Sequence, residues 1–282
     1  MKLIECPRDA MQGLHHFVPT AVKAKYINLL LQVGFDTLDF GSFVSPKAIP
    51  QLRDTCEVLS QLDLSATNSK LLAIVANLRG VEAAIKHESI TYLGFPFSIS
   101  EIFQQRNTNS SISQSLNTVE EMLDLCDKHH KTAVVYLSMG FGNPYGDEWN
   151  IEIVEKWAEE LVQRGVKILS LADTTGMSTP EKIKSVLPGL IKKFNHIEIG
   201  IHLHSTPFTR LEKIEAAFEA GCTRFDSALK GFGGCPMAAD DLTGNLATED
   251  LIAFLTARNI DLKLNMAKWQ EALRYSSEVF NS

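Results

Sequence analysis

The stretch IEIVEKWAEELVQRGVKILSLA, residues 151–172, holds the unit from which the fold is read. Apolar side chains at Val154, Trp157, Ala158, Leu161 and Val162 recur at helical spacing, which predicts an amphipathic helix. Gly165 ends it as a helix C-cap does, and VKILSLA (166–172) follows as a short run of aliphatic residues that reads as a buried strand. The same helix–glycine–strand phrase recurs around Gly34 and Gly221.

Moving outward, strand candidates recur about every 25 to 35 residues: KLIEC (2–6), FDTLDF (35–40), KLLAIVA (70–76), ITYLGF (90–95), TAVVYLSM (132–139), VKILSLA (166–172), IEIGIHLH (197–204) and RFDSAL (224–229). Helical stretches such as TAVKAKYINLLLQVG (20–34), LNTVEEMLDLCDKH (116–129) and TRLEKIEAAFEAG (209–221) lie between them. Eight such alternations predict an α/β fold, a (β/α)8 TIM barrel, with MAKWQEALRYSSEVF (266–280) as an extra C-terminal helix. The whole of 1–282 reads as a single domain, since no linker or composition break divides it. An open doubly wound sheet is the competing architecture; it calls for a glycine-rich phosphate turn after the first strand, and CPRDAMQG is not one.

Composition narrows the function. The hydrophobic fraction of 45% and charged fraction of 22% are those of a globular protein, and the net charge of −7 with no basic cluster speaks against nucleic acid. No apolar run reaches the roughly 20 residues of a membrane helix, and the first residues lack a signal-peptide core, so a cytoplasmic protein is expected. The cysteines, Cys6, Cys56, Cys126, Cys222 and Cys235, contain no CxxC pair and read as reduced thiols.

In a barrel of this kind the active site lies at the carboxyl ends of the strands. There the sequence places Arg8 and Asp9, Asp39 and Ser42, Asp173 and Thr174, His202 and His204, and the glycine-rich segment GFGGCPMAADDLTGNLATED (231–250). His202 and His204, two apart on a strand, point to one side. Two imidazoles with the carboxylate of Asp9 suit a divalent ion such as Mg²⁺ or Mn²⁺; two histidines hydrogen-bonded within a core is the competing reading. Arg8 suits a carboxylate or a developing enolate, Asp39 and Asp173 suit holding that arginine and hydroxyl groups in place, and Thr248 with Glu249 and Asp250 reads as a helix cap. The glycines around Cys235 permit a mobile loop over about 230–246 that carries a thiol able to exchange a proton.

Four blocks, ECPRDAMQG (5–13), GSFVSPKAIPQ (41–51), LADTTGMSTP (171–180) with GIHLHS (200–205), and GFGGCP (231–236) followed by TGNLATEDL (243–251), resemble the 3-hydroxy-3-methylglutaryl-CoA lyases of the DRE-TIM metallolyase superfamily, over nearly the whole chain. The resemblance implies cleavage of 3-hydroxy-3-methylglutaryl-CoA to acetyl-CoA and acetoacetate, a reaction of leucine degradation. It implies Mg²⁺ or Mn²⁺ on Asp9, His202, His204 and Asn245. It further implies catalytic Arg8 and His202, a loop carrying catalytic Cys235, acidic helpers at Asp39 and Asp173, substrate contacts from Arg8, Ser42 and Thr174, and a homodimer or other homo-oligomer. The glutamate usual on strand two stands here as Asp39. A related lyase or Claisen-type synthase acting on another hydroxyacyl-CoA or 2-oxo acid is the alternative activity.

Overall fold

The computed structural model describes residues 1–65, 67–234 and 243–280. Its strands are β1 (Lys2–Glu5), β2 (Thr37–Ser42), β3 (Lys70–Ile74), β4 (Ile90–Ser98), β5 (Thr132–Ser138), β6 (Ile168–Ala172), β7 (Glu198–His202), β8 (His204–Ser205), β9 (Arg224–Ser227) and β10 (Gly244–Asn245). All of these except β8 and β10 close into one parallel barrel in the order β1-β2-β3-β4-β5-β6-β7-β9 and back to β1. The phrase that decided the fold is realised as read: helix Ile151–Gln163, a left-handed Gly165, then β6.

Period-two alternation sorts side chains between two cores. On β7, Ile199 and Ile201 face outward into the layer beneath the helices, and Gly200 and His202 face the barrel interior. The interior is unevenly furnished. Leu72, Ile74, Tyr92, Val134, Tyr136, Ile168 and Ala172 from β3 to β6 make an apolar half. Opposite them, buried Arg224 and Asp226 on β9 and His202 on β7 make a polar half. Gly200 serves that polar half: a Cβ there would sit 2.7 Å from Cδ and 2.9 Å from Cγ of Arg224, so only a glycine lets the guanidinium stem pass.

The structure departs from the sequence reading in two places that matter below. His204 is not on the strand of His202. The chain leaves the ladder at Leu203, and β8 instead pairs antiparallel with β10, setting His204 opposite Asn245. Thr248 is the first residue of helix Thr248–Ala257 rather than its cap; Ala247 holds the cap position without a side-chain bond, and the Thr248 hydroxyl is drawn inward to Glu5 and to Ser227 Oγ. The tail forms helix Met266–Phe280, packed on helix Thr20–Val33. Trp269 meets the ring of Phe35 edge-on, and Phe280 stacks on Phe232 with centroids 4.3 Å apart. Among the described residues no helix is long and apolar enough to cross a membrane.

Gly200→Ala is expected to destabilise the fold by about 1–3 kcal/mol, the usual cost of overpacking a filled interior. Thermal denaturation followed by circular dichroism checks it; an unchanged midpoint would mean that Arg224 has room to move.

Candidate active site

The chain leaves β1 and turns at once into the short helix Pro7–Gln12, whose opening proline has the backbone angle a first helical turn needs. This carries Arg8 and Asp9, both buried, onto the mouth of the barrel. Nε of Arg8 donates to Oδ1 and Oδ2 of Asp39 at 3.1 and 3.0 Å, and Nη2 donates to Oδ2 as well. Nη1 donates to Asp9 Oδ1 at 3.1 Å and to Gln12 Oε1 at 2.8 Å. Gln12 returns a bond from Nε2 to Asp9 Oδ1 at 2.7 Å. Of the five N–H groups on a guanidinium, this leaves one on Nη2 to face the cavity.

Asp9 is the centre of the arrangement. Its Oδ2 accepts from Asn245 Nδ2 at 2.6 Å and lies 4.0 Å from His202 Nε2. Burial works to raise its pKa, but Arg8, the two histidines and the Asn245 bond outweigh it and hold the carboxyl below its usual value. The His204 ring, with its centroid 5.3 Å from that of His202, has its pKa pushed down to about 4 by burial and by that neighbour, so it is neutral where a metal ligand must be. One ligand atom from each of Asp9, His202 and His204 lies within 4.8 Å of the others. Asn245 uses Nδ2 for both its bonds, to Asp9 and to the Phe232 carbonyl, which leaves its Oδ1 for a cation. Two imidazoles, a carboxylate and an amide oxygen fit a hard or borderline divalent ion.

The glycine-rich segment enters this centre at Gly233. Its φ of 104° is left-handed, and a Cβ would meet Asn245 Nδ2 at 2.6 Å and the Asp9 carbonyl at 2.8 Å, so two backbones can close on Asp9 only around a glycine. Cys235 lies outside the described residues.

A cavity of ≈ 420 Å³ opens against this wall. Ser42 and Thr174 line it together with Arg8, Asp9, His202 and His204, Tyr136 and Pro96 contribute apolar surface, and Arg106 and Asn109 are also in its lining. Thr174 Oγ1 accepts from the Met139 N–H at 3.1 Å, and Ser42 Oγ donates to the Ile74 carbonyl at 3.3 Å. Asp39 stands behind Arg8 rather than in the cavity lining, and burial pushes its pKa up to about 6 against the pull of Arg8. Asp173 is set apart. It accepts from the N–H and hydroxyl of Ser178 and from Lys213 Nζ at 3.1 Å, and it does not touch Arg8.

Sequence reasoning passed over three participants. Gln12 follows Arg8 by four, the spacing of neighbours on a helix, and that was its available signal. Asp226 sits two residues after Arg224 on a strand, so period two places both inside the barrel. Lys213, whose Nζ joins Asp173, the Gly176 carbonyl and the His204 carbonyl, gave none.

A closed parallel barrel with a carboxylate and two imidazoles converging at its carboxyl-terminal mouth has the form of a TIM-barrel enzyme site, with a cluster that could hold a metal ion. Residues 3–275 match the family model described as HMGL-like, and the chain belongs to that family. The chain is 34% identical to the hydroxymethylglutaryl-CoA lyase of Bacillus subtilis over 96% of its own length and 90% of that protein's. A crystal structure of a Bacillus subtilis HMG-CoA lyase superposes with a TM-score of 0.91 at 33% identity, covering 98% of this chain and 92% of that one. An HMG-CoA lyase from Acinetobacter baumannii, solved in complex with coenzyme A and 3-methylmalate, also gives 0.91, at 29% identity over 100% and 91% of the two chains.

Below this centre Glu5 ties the two ends of the glycine-rich segment together. Its Oε1 accepts from the Leu229 N–H at 2.8 Å and its Oε2 pairs with the Thr248 hydroxyl at 2.5 Å. Burial raises its pKa from 4.5 to about 8, opposed by those two bonds. The native carboxyl keeps a proton that the unfolded chain releases, so its contribution to stability is whole below about pH 4.5 and is lost as pH rises through about 8. Glu5→Gln keeps an acceptor for Leu229 and supplies a donor to Thr248 but has no proton to lose. The fall in Tm between pH 6 and pH 9 is therefore expected to be smaller in Glu5→Gln than in the parent, and equal slopes would show that Glu5 is already charged at neutral pH.

Proposed function

We propose that this protein is a divalent-metal-dependent carbon–carbon lyase that cleaves 3-hydroxy-3-methylglutaryl-CoA to acetyl-CoA and acetoacetate, acting in the cytoplasm as a homo-oligomer in leucine degradation. The observation that carries the reading is the convergence of Asp9, His202 and His204 beside a cavity-facing Arg8, in a chain of the HMGL-like family. The lyases compared above all bear the hydroxymethylglutaryl-CoA name, which favours this substrate over that of a related lyase or Claisen-type synthase.

Asp9, His202, His204 and Asn245 would hold Mg²⁺ or Mn²⁺, which when bound supplies a Lewis acid that lowers the pKa of the substrate's 3-hydroxyl and fixes its direction. The chain's own groups do the rest. Asp39 holds Nε and Nη2 of Arg8, and Gln12 with Asp9 holds Nη1, so the guanidinium reaches the substrate already oriented and spends no entropy in turning. When a neighbouring histidine or aspartate takes the hydroxyl proton, the oxygen becomes the ketone of acetoacetate as the adjacent carbon–carbon bond breaks, and the bonding electron pair moves onto the acetyl-CoA fragment as a thioester enolate. Arg8, with its remaining N–H, stabilises that oxygen. The Cys235 thiol then gives its proton to the enolate carbon. Ser42 and Thr174 contact the substrate from the cavity wall. Asp173 acts at one remove, since Lys213 links it to the carbonyl of His204.

Arg8→Gln is expected to lower kcat about 100-fold or more, the usual cost of removing one such donor, with acetoacetate release as the assay. Near-normal turnover would remove Arg8 from the chemistry. Protein treated with EDTA and dialysed is expected to lose cleavage and to regain it on addition of Mg²⁺ or Mn²⁺; undiminished cleavage after dialysis would exclude a metal role.

A further inference from the structure

The two ring nitrogens of His202 face two different carboxylates. Nε2 looks toward Asp9, 4.0 Å away, and Nδ1 lies 3.2 Å from Oδ2 of Asp226. A neutral imidazole carries its proton on one nitrogen only, and the partner of that nitrogen decides which one is left to bind a metal. Asp226 is buried on β9, directly opposite His202 in the register of the β7–β9 pair. A carboxylate only accepts, so Nδ1–H is the tautomer it selects.

The surroundings keep Asp226 in that role. Buried beside it is Arg224, a permanent positive charge on the same strand whose Nη1 donates to Glu198 at 3.0 Å and whose stem fills the space left by Gly200. Tyr136 presents its ring edge-on to His202 at 5.8 Å and 85°, which limits rotation of the imidazole. Asp226 Oδ1, Nε and Nη2 of Arg224, Tyr136 Oη and Ser170 Oγ have no hydrogen-bond partner among the described residues. Tyr136 pairs with Ser170, and Ser170 with Gly200, in the strand register, which sets this row two residues below the one in which His202 faces Asp226. The hydrogen bond that the Asp226 carboxylate makes is to His202, so among these buried groups it is the imidazole that compensates its burial.

We propose that Asp226 is a positioning residue of the lyase: its carboxylate holds the Nδ1–H of His202 and thereby presents Nε2, together with Asp9 and His204, to the divalent cation. The inference rests on the metal-dependent reading above and assigns a role to a residue outside the ligand set.

Two measurements test it. In Mg²⁺-loaded protein labelled with ¹⁵N-histidine, the long-range ¹H–¹⁵N spectrum is expected to show His202 protonated at Nδ1; protonation at Nε2 overturns the proposal without any variant being made. Asp226→Asn, whose amide can turn its NH₂ toward Nδ1 and so select the opposite tautomer, is expected to bind Mn²⁺ about 10- to 100-fold more weakly, read from the electron paramagnetic resonance of free Mn²⁺. A folded Asp226→Asn protein with the parent's Mn²⁺ affinity overturns the proposal alone; a parent protein that binds no Mn²⁺ overturns the metal reading and the proposal with it. Cys6 provides the control, because its Sγ, a nitrogen of His202 and a carboxylate oxygen of Asp226 also lie within 4.8 Å of one another. Cys6→Ser is expected to keep the parent's Mn²⁺ affinity, and a loss matching that of Asp226→Asn would make Asp226 a ligand instead.

Discussion

Asp9 and Asp39 are two buried carboxylates held on either side of a single guanidinium, and Arg8 is what allows both to remain charged at the mouth of the barrel. Each contact is worth about 4 kcal/mol at an effective dielectric of 20, while taking each ion out of water costs several kcal/mol, so the trio adds little net stability. Its product is geometry. Asp9 is free to serve the histidines and Asn245 with its second oxygen because its first is committed to Arg8 and Gln12. Without that guanidinium two like charges would face each other in a desolvated space, which disfavours keeping both ionised.

The division of the barrel interior follows from the same constraint. Charge concentrated on β1, β7 and β9 needs compensation from neighbouring strands, and it finds it in Arg224 and in the polar level beneath His202. Strands β3 to β6 carry no such burden, and their inward residues give an apolar floor.

Much of this was legible because it is local. Helical and strand periods, and glycines after the helices, are properties of short windows, so the barrel could be read from its repeated phrase and Arg8, Asp9, His202 and His204 from their place at strand ends. The two histidines converge on Asp9 although the strand breaks between them and His204 pairs with Asn245 instead. Asp173 shows where reading by position stops: a strand end gives the height of a residue in the barrel but not its direction, and this one turns to Ser178 and Lys213. Lys213 was beyond reach for a different reason. Its meaning lies in three acceptors brought together by folding, and a lysine inside an amphipathic helix reads as solvated surface.

The aromatic stack between Phe232 and Phe280 joins the last turn of the chain to the residue whose carbonyl steadies Asn245. An appendage wrapped around the outside of a barrel is thereby mechanically continuous with its catalytic rim. A change at Phe280 therefore reaches the Asn245 amide through one aromatic contact and one carbonyl.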